Sequence, residues 1–170
     1  MTPTIIFQMQ LILGYVAWLL LFGRYVWPRL KSMQPAAAQR AIATLHGFRF
    51  FGLVFMVPGV VGGHLPAGFA TSAAYGDFVT GILAMLAVLT FAIRPLFWPF
   101  VVAFNIVGVI DFGLDYYQAI RVHLPEVAGQ MGAAYAIPVL FVPLLMITHW
   151  AAFYLLLRTP QRALQAVPAM

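Results

Sequence analysis

The stretch from Phe97 to Tyr117, FWPFVVAFNIVGVIDFGLDYY, is apolar enough to cross a lipid bilayer and yet carries Asn105, Asp111 and Asp115. A carboxylate at membrane depth costs roughly 2.5–3.5 kcal/mol on insertion scales, so it faces a bundle interior, a cavity or a partner rather than lipid. The rest of the chain is of the same kind. With 64% of its residues apolar and 8% charged, it has too few polar groups to cover a water-soluble surface. The sequence therefore predicts an all-α, polytopic membrane bundle surrounded by membrane lipids. Its nine Lys and Arg residues are scattered among apolar runs and form no stripe, which argues against a nucleic-acid surface. The absence of cysteine excludes disulfides, thiolate ligands and iron–sulfur clusters.

A spanning helix needs about 20 predominantly apolar residues, and five segments qualify: 5–27, 41–63, 75–93, 97–118 and 135–157. Together they make one membrane domain over residues 1–170. The first run has no basic residue ahead of it and no small-residue cleavage pattern, so it is expected to stay in the mature chain as a helix. Arg24, Arg29, Lys31, Arg40, Arg94, Arg158 and Arg162 fall on one side of these spans and Arg121 on the other. By the positive-inside rule the amino terminus is outside and the carboxyl terminus cytoplasmic. Asp77, Asp111, Asp115 and Glu126 then lie in the outer half or outer loop.

Two polar levels follow. Asn105, Gly108, Asp111 and Asp115 recur at steps of three, three and four, which places them along one face of the fourth helix. They either glue helices together or line a site. Asp77, at the expected start of the third helix, either caps free amides or joins His64 and Asp115 in an outer polar cluster. No spacing among these residues matches a metal signature. Nearer the cytoplasm, His46 and Arg49 share a face of the second helix, and Asn105 and His149 stand at similar depth. Arg49 is expected to lack an acid at its own level, because Asp111 counts out at roughly 10 Å further toward the outer surface by the rise of 1.5 Å per residue. Such a guanidinium is suited to an anionic or carbonyl ligand head. The matched depths of His46 and His149 also suggest a bis-imidazole b-type haem, with Arg49 meeting a propionate.

Gly76-Asp77 at a helix start, Asn105-x-x-Gly108-x-x-Asp111 and Pro138-x4-Pro143-x4-Thr148-His149 together resemble a group of small, uncharacterised bacterial inner-membrane proteins. The likeness covers about the last two thirds of the chain, implies a multi-pass inner-membrane location and brings no activity with it. The leading expectation is a protein that binds or carries a small amphipathic or lipid-like ligand between the second, fourth and fifth spans. In that reading His46, Arg49, Asn105, Asp111 and His149 hold the head, and Pro58, Pro138 and Pro143 shape the cavity. The alternatives are the haem electron carrier and a structural or accessory subunit, in a homo-oligomer or a membrane complex, whose polar residues only fix helix packing.

Overall fold

Prolines and small residues set the element boundaries. The computed structural model describes residues 1–165, with side chains to Arg158; Arg162, counted above with the inner basic residues, lies outside the described side chains. Thr2 caps the first helix by accepting from the Ile5 amide at 3.4 Å, and Pro3 fills a first-turn position where no amide is needed. This helix, α1, runs over Pro3–Ser32. Pro28 supplies no amide hydrogen, and the turn ahead of it, Phe22–Val26, is π-wound. Only Met33 and Gln34 separate α1 from α2 (Pro35–His46), so the segment expected as an inner loop is almost wholly helical.

Beyond His46 the chain continues as a 3₁₀ helix over Gly47–Met56. At three residues per turn, His46, Arg49, Gly52 and Phe55 stand in one row, and all four are buried. On an α-helix each step of three would drift by about 60°, carrying Phe55 to the face opposite His46. Phe48, Phe50 and Phe51 point away from the core and are exposed. The expected span 41–63 is therefore not one regular helix: it begins earlier, changes winding at Gly47, and is turned by Pro58 and by Gly59 at φ +83°.

α3 covers Ala67–Leu89 and so starts well ahead of the expected Tyr75. Pro66 stands at its N-cap, and Ala67, Ala70, Ala73 and Ala74, strong helix formers, extend it through a stretch that reads as a loop by composition. Asp77 is consequently mid-helix and caps nothing. α4 (Arg94–Arg121) contains the expected fourth span, with Pro95 in its first turn. α5 (Val142–Gln165) is preceded by a π-wound turn, Ile137–Phe141, where Pro143 leaves the Val139 carbonyl without its helical donor. The connection between α4 and α5 folds into two 3₁₀ turns, Leu124–Glu126 and Ala128–Tyr135, that bury Leu124, Ala128, Met131 and Ala134. It is tied to the loop after the 3₁₀ helix by the Gly62 amide, which donates to the Gln130 carbonyl at 2.7 Å.

Four helices are long and apolar enough to cross a membrane, Pro3–Ser32, Ala67–Leu89, Arg94–Arg121 and Ile137–Arg158, and there is no strand among the described residues. Leu20, Leu89, Ile110, Trp150 and Leu157 are among the large apolar side chains left on the outside, as lipid-facing residues are. Inside, two apolar clusters form. One gathers Phe22, Ile42, Ala84, Phe97, Phe104 and Ala152; the other gathers Phe7, Phe55, Phe69, Leu124, Met131 and Ile137. Along α3, α4 and α5 the buried polar residues lie between the stretches that feed these clusters, so a polar layer separates them.

Candidate functional site

Arg49 is the centre of the polar layer and is 1% exposed. Its Nε donates to Asp77 Oδ1 at 2.6 Å, its Nη2 donates to Asp111 Oδ2, and its Nη1 lies 3.2 Å from His149 Nε2. Its guanidinium carbon stands 4.2 Å from the centre of the Phe112 ring, a cation–π contact on the remaining side. The expectation that Arg49 lacks an acid at its depth is thus wrong. α2 begins at Pro35, six residues ahead of the expected 41, which adds about 9 Å, while α4 begins only three residues early, at Arg94; the difference in level falls to about 4.5 Å at 1.5 Å per residue, within reach of an arginine side chain. The early start of α3 likewise brings Asp77 into the bundle.

The hydrogen bonds fix one another's direction. Arginine only donates, so His149 Nε2 is the acceptor and its Nδ1–H donates to Asn105 Oδ1 at 2.9 Å. The Asn105 amide then donates to the Val101 carbonyl at 2.8 Å. Thr148 spends its single proton on the Leu144 and Leu145 carbonyls, so it accepts from His46 Nε2–H at 3.0 Å. That leaves His46 Nδ1 as a buried acceptor with no hydrogen bond. The two imidazoles touch, with ring centres 4.1 Å apart. No porphyrin fits between rings in contact, and each Nε2 is already engaged, so the pair does not offer the ligand set expected for a b-type haem.

Glycines make room for this layer. A Cβ on Gly76 would overlap the Asp111 carboxylate, one on Gly52 would overlap Asp77, and one on Gly108 would strike His149 and Arg49. These three residues were not singled out from the sequence as site residues, although each lies beside a polar residue or one turn from it: Gly76 next to Asp77, Gly52 three after Arg49, Gly108 three before Asp111.

Beside the layer, toward the amino-terminal end of α1, lies a cavity of about 420 Å³. It is the space left between the first turns of α1 (Phe7, Leu11) and the last turns of α4 (Phe112, Asp115, Ala119). Phe55, Phe69 and Asp77 complete the wall, and the exposed His123 and Glu126 stand at its rim. α1 leaves this space because it rests mainly on the start of α5 and on the connection between α4 and α5 rather than on α3. Three bonds hold it there: Trp18 Nε1 to the Leu140 carbonyl at 2.7 Å, Tyr135 Oη to Gln10 Oε1, and Tyr15 Oη with Tyr116 Oη at 2.6 Å. The cavity is not where the sequence placed a ligand. Arg49, His46, Asn105, Asp111 and His149 do not line it, and of the three prolines expected to shape it only Pro138 does. Of the expected outer polar cluster, Asp77 and Asp115 both line this cavity, Asp77 being also paired with Arg49 and Asp115 keeping a buried Oδ1 without a hydrogen bond, while His64 is exposed on the loop and bonds to neither acid.

The chain belongs to the family DUF8737, a domain of unknown function. The match covers residues 6–157, which takes in the whole polar layer and every cavity residue except Thr4. No curated protein and no solved structure matches the chain. Function therefore has to be argued from the site itself.

Proposed function

We propose that this chain is a five-pass protein of a bacterial inner membrane, amino terminus outside and carboxyl terminus cytoplasmic, that binds or carries a small amphipathic molecule in the outer cavity. The fifth crossing is α2 with its 3₁₀ extension. Twelve residues at 1.5 Å and ten at 2.0 Å make about 38 Å, more than the roughly 30 Å hydrocarbon core. The skew of Lys and Arg to one side of the spans supports the orientation.

The observation that carries the binding reading is the cavity: a volume within the roughly 300–1,000 Å³ of small-molecule sites, mostly apolar walls, and a few polar groups, Asp77 and Asp115 among them. An apolar chain lies against Phe7, Phe55 and Phe69 while the head meets the carboxylates. The polar layer is the rigid floor, since its ion pairs join the 3₁₀ helix to α3 and α4, and its hydrogen bonds through His46 and His149 tie in α2 and α5. The accessory-subunit alternative differs in requiring no occupant.

Native mass spectrometry of gently extracted protein tests the reading, with Ala119→Phe as the comparison. Ala119 is a wall residue outside the polar layer, and a phenyl ring there takes up cavity volume. Wild type is expected to carry a co-purifying small molecule that the variant loses. Wild type without an adduct, and without stabilisation by any added amphipath, overturns the proposal.

A further inference from the structure

We infer that the occupant of the outer cavity carries a cationic head, of the alkylammonium class, for which Asp115 is the counter-ion; this rests on the binding reading above. The argument begins with charge. The layer and the cavity wall hold three carboxylates, Asp77, Asp111 and Asp115, against one guanidinium. Each nitrogen of Arg49 is engaged, Nε on Asp77, Nη2 on Asp111 and Nη1 on His149, and one face lies on Phe112. Neither histidine supplies a second cation, because each accepts or is left to accept at one ring nitrogen. Asp115 sits one turn outward of Asp111, lines the cavity, and has a buried Oδ1 with no hydrogen-bond partner.

A carboxylate left so in an apolar wall is costly unless a counter-ion or donor reaches it. No Lys or Arg lines the cavity, and the donors that do, Thr4, Gln8, Tyr116 and His123, make no hydrogen bond to Asp115 Oδ1. A metal is a poor candidate, since no group of three or more His, Asp or Glu among the described residues is arranged to hold one. An ammonium head suits the place better. It brings charge and donors to Asp115, and its alkyl part lies against the apolar rings of Phe7, Phe55 and Phe69. The same wall repels a carboxylate or phosphate head, the reverse of what Arg49 suggested in the sequence.

The test uses full-length protein in nanodiscs of zwitterionic phosphatidylcholine, with partition into empty discs subtracted. Decylamine, decanol and decanoate share a chain and differ in head. Decylamine is expected to bind about tenfold more tightly than decanol, and decanoate more weakly than either, one well-placed charge pair being worth about that factor. Asp115→Asn is expected to bring decylamine down to the affinity of decanol, with its unfolding transition in the same lipid compared with wild type to show that it is folded; Asp115→Glu keeps the preference. Equal binding of decylamine and decanol to wild type, or a preference that survives Asp115→Asn, overturns the assignment while leaving the cavity reading intact. Failure of all three probes to bind overturns both.

Discussion

Replacing Arg49 with methionine removes the one cation of the polar layer and leaves its partners in place. The side chains of Arg49, Asp77 and Asp111 are 0%, 9% and 5% exposed, so the pairs belong to the buried class and not to the surface class worth about 0–1 kcal/mol. Removing one member of a buried pair costs about 3–5 kcal/mol, chiefly because the other charge is stranded. Here two carboxylates are stranded together, with Asp115 one turn away, so the upper end of that range is expected. His149 loses its donor as well. The triple variant Arg49→Met, Asp77→Asn, Asp111→Asn removes the stranded charges and is expected to recover more than half of the loss, since neutral replacement of a buried ion group is often close to neutral in stability. Reversible unfolding in mixed micelles, titrated with a denaturing detergent, measures both. A loss below about 1 kcal/mol for Arg49→Met, or a triple variant no better than the single one, would refute the view that the layer is a dry, mutually compensating charge cluster.

Gly76→Ala places a methyl group where the Asp111 carboxylate stands, and overpacking of this kind costs about 1–3 kcal/mol; the same titration checks it, with the exposed Gly68, which has open space around it, as a control expected to be silent on change to alanine. His149→Phe keeps the ring and removes both nitrogens, leaving Asn105 Oδ1 and one guanidinium hydrogen unpaired at about 1–3 kcal/mol; a variant as stable as wild type would mean that water already serves those groups. Trp18→Phe deletes the indole bond to the Leu140 carbonyl, an exposed contact worth about 0.5–1.5 kcal/mol net. Because the chain has no cysteine, Leu11→Cys is a clean reporter at the cavity wall, and maleimide labelling there is expected to speed up when Trp18→Phe is added.

The polar layer was legible in its members and not in its pairings. A step of three between His46 and Arg49, and steps of three from Asn105 to Asp111, state which side chains share a face, because side-chain direction along a helix is local information. Depth is not local. It depends on where each helix begins, and two beginnings were hidden by composition: Pro35 lies inside a segment that reads as a charged loop, and Ala67–Ala74 read as Pro-Gly-small linker while packing as helix against Phe55 and Leu124. The hidden start of α2 lies six residues early and that of α4 three, a net shift of about 4.5 Å that brings Asp111 within reach of Arg49. The 3₁₀ winding of Gly47–Met56 was also unreadable, since no propensity distinguishes it from an α-helix; its trace is only that Arg49, Gly52 and Phe55 need to face the same way. The cavity was missed for a further reason. It is made by α1 failing to reach α3, and the packing of two apolar helices leaves no mark in either sequence.

The division of labour among the helices bears on how a molecule enters such a cavity. α2, α3, α4 and α5 each contribute to the polar layer, and parting any of them strands a buried charge or imidazole at a cost of several kcal/mol. α1 contributes nothing to that layer. Its side-chain bonds, from Trp18, Tyr15 and Gln10, are exposed or half-buried and worth about 1 kcal/mol each. Between Phe7 and Leu11 it forms one whole wall of the cavity. Since α1 faces lipid over most of its surface, a shift of its outer half exchanges protein contacts for lipid contacts at nearly equal apolar area. The least costly way to open the cavity is therefore sideways, by displacing α1 while the charged floor stays fixed.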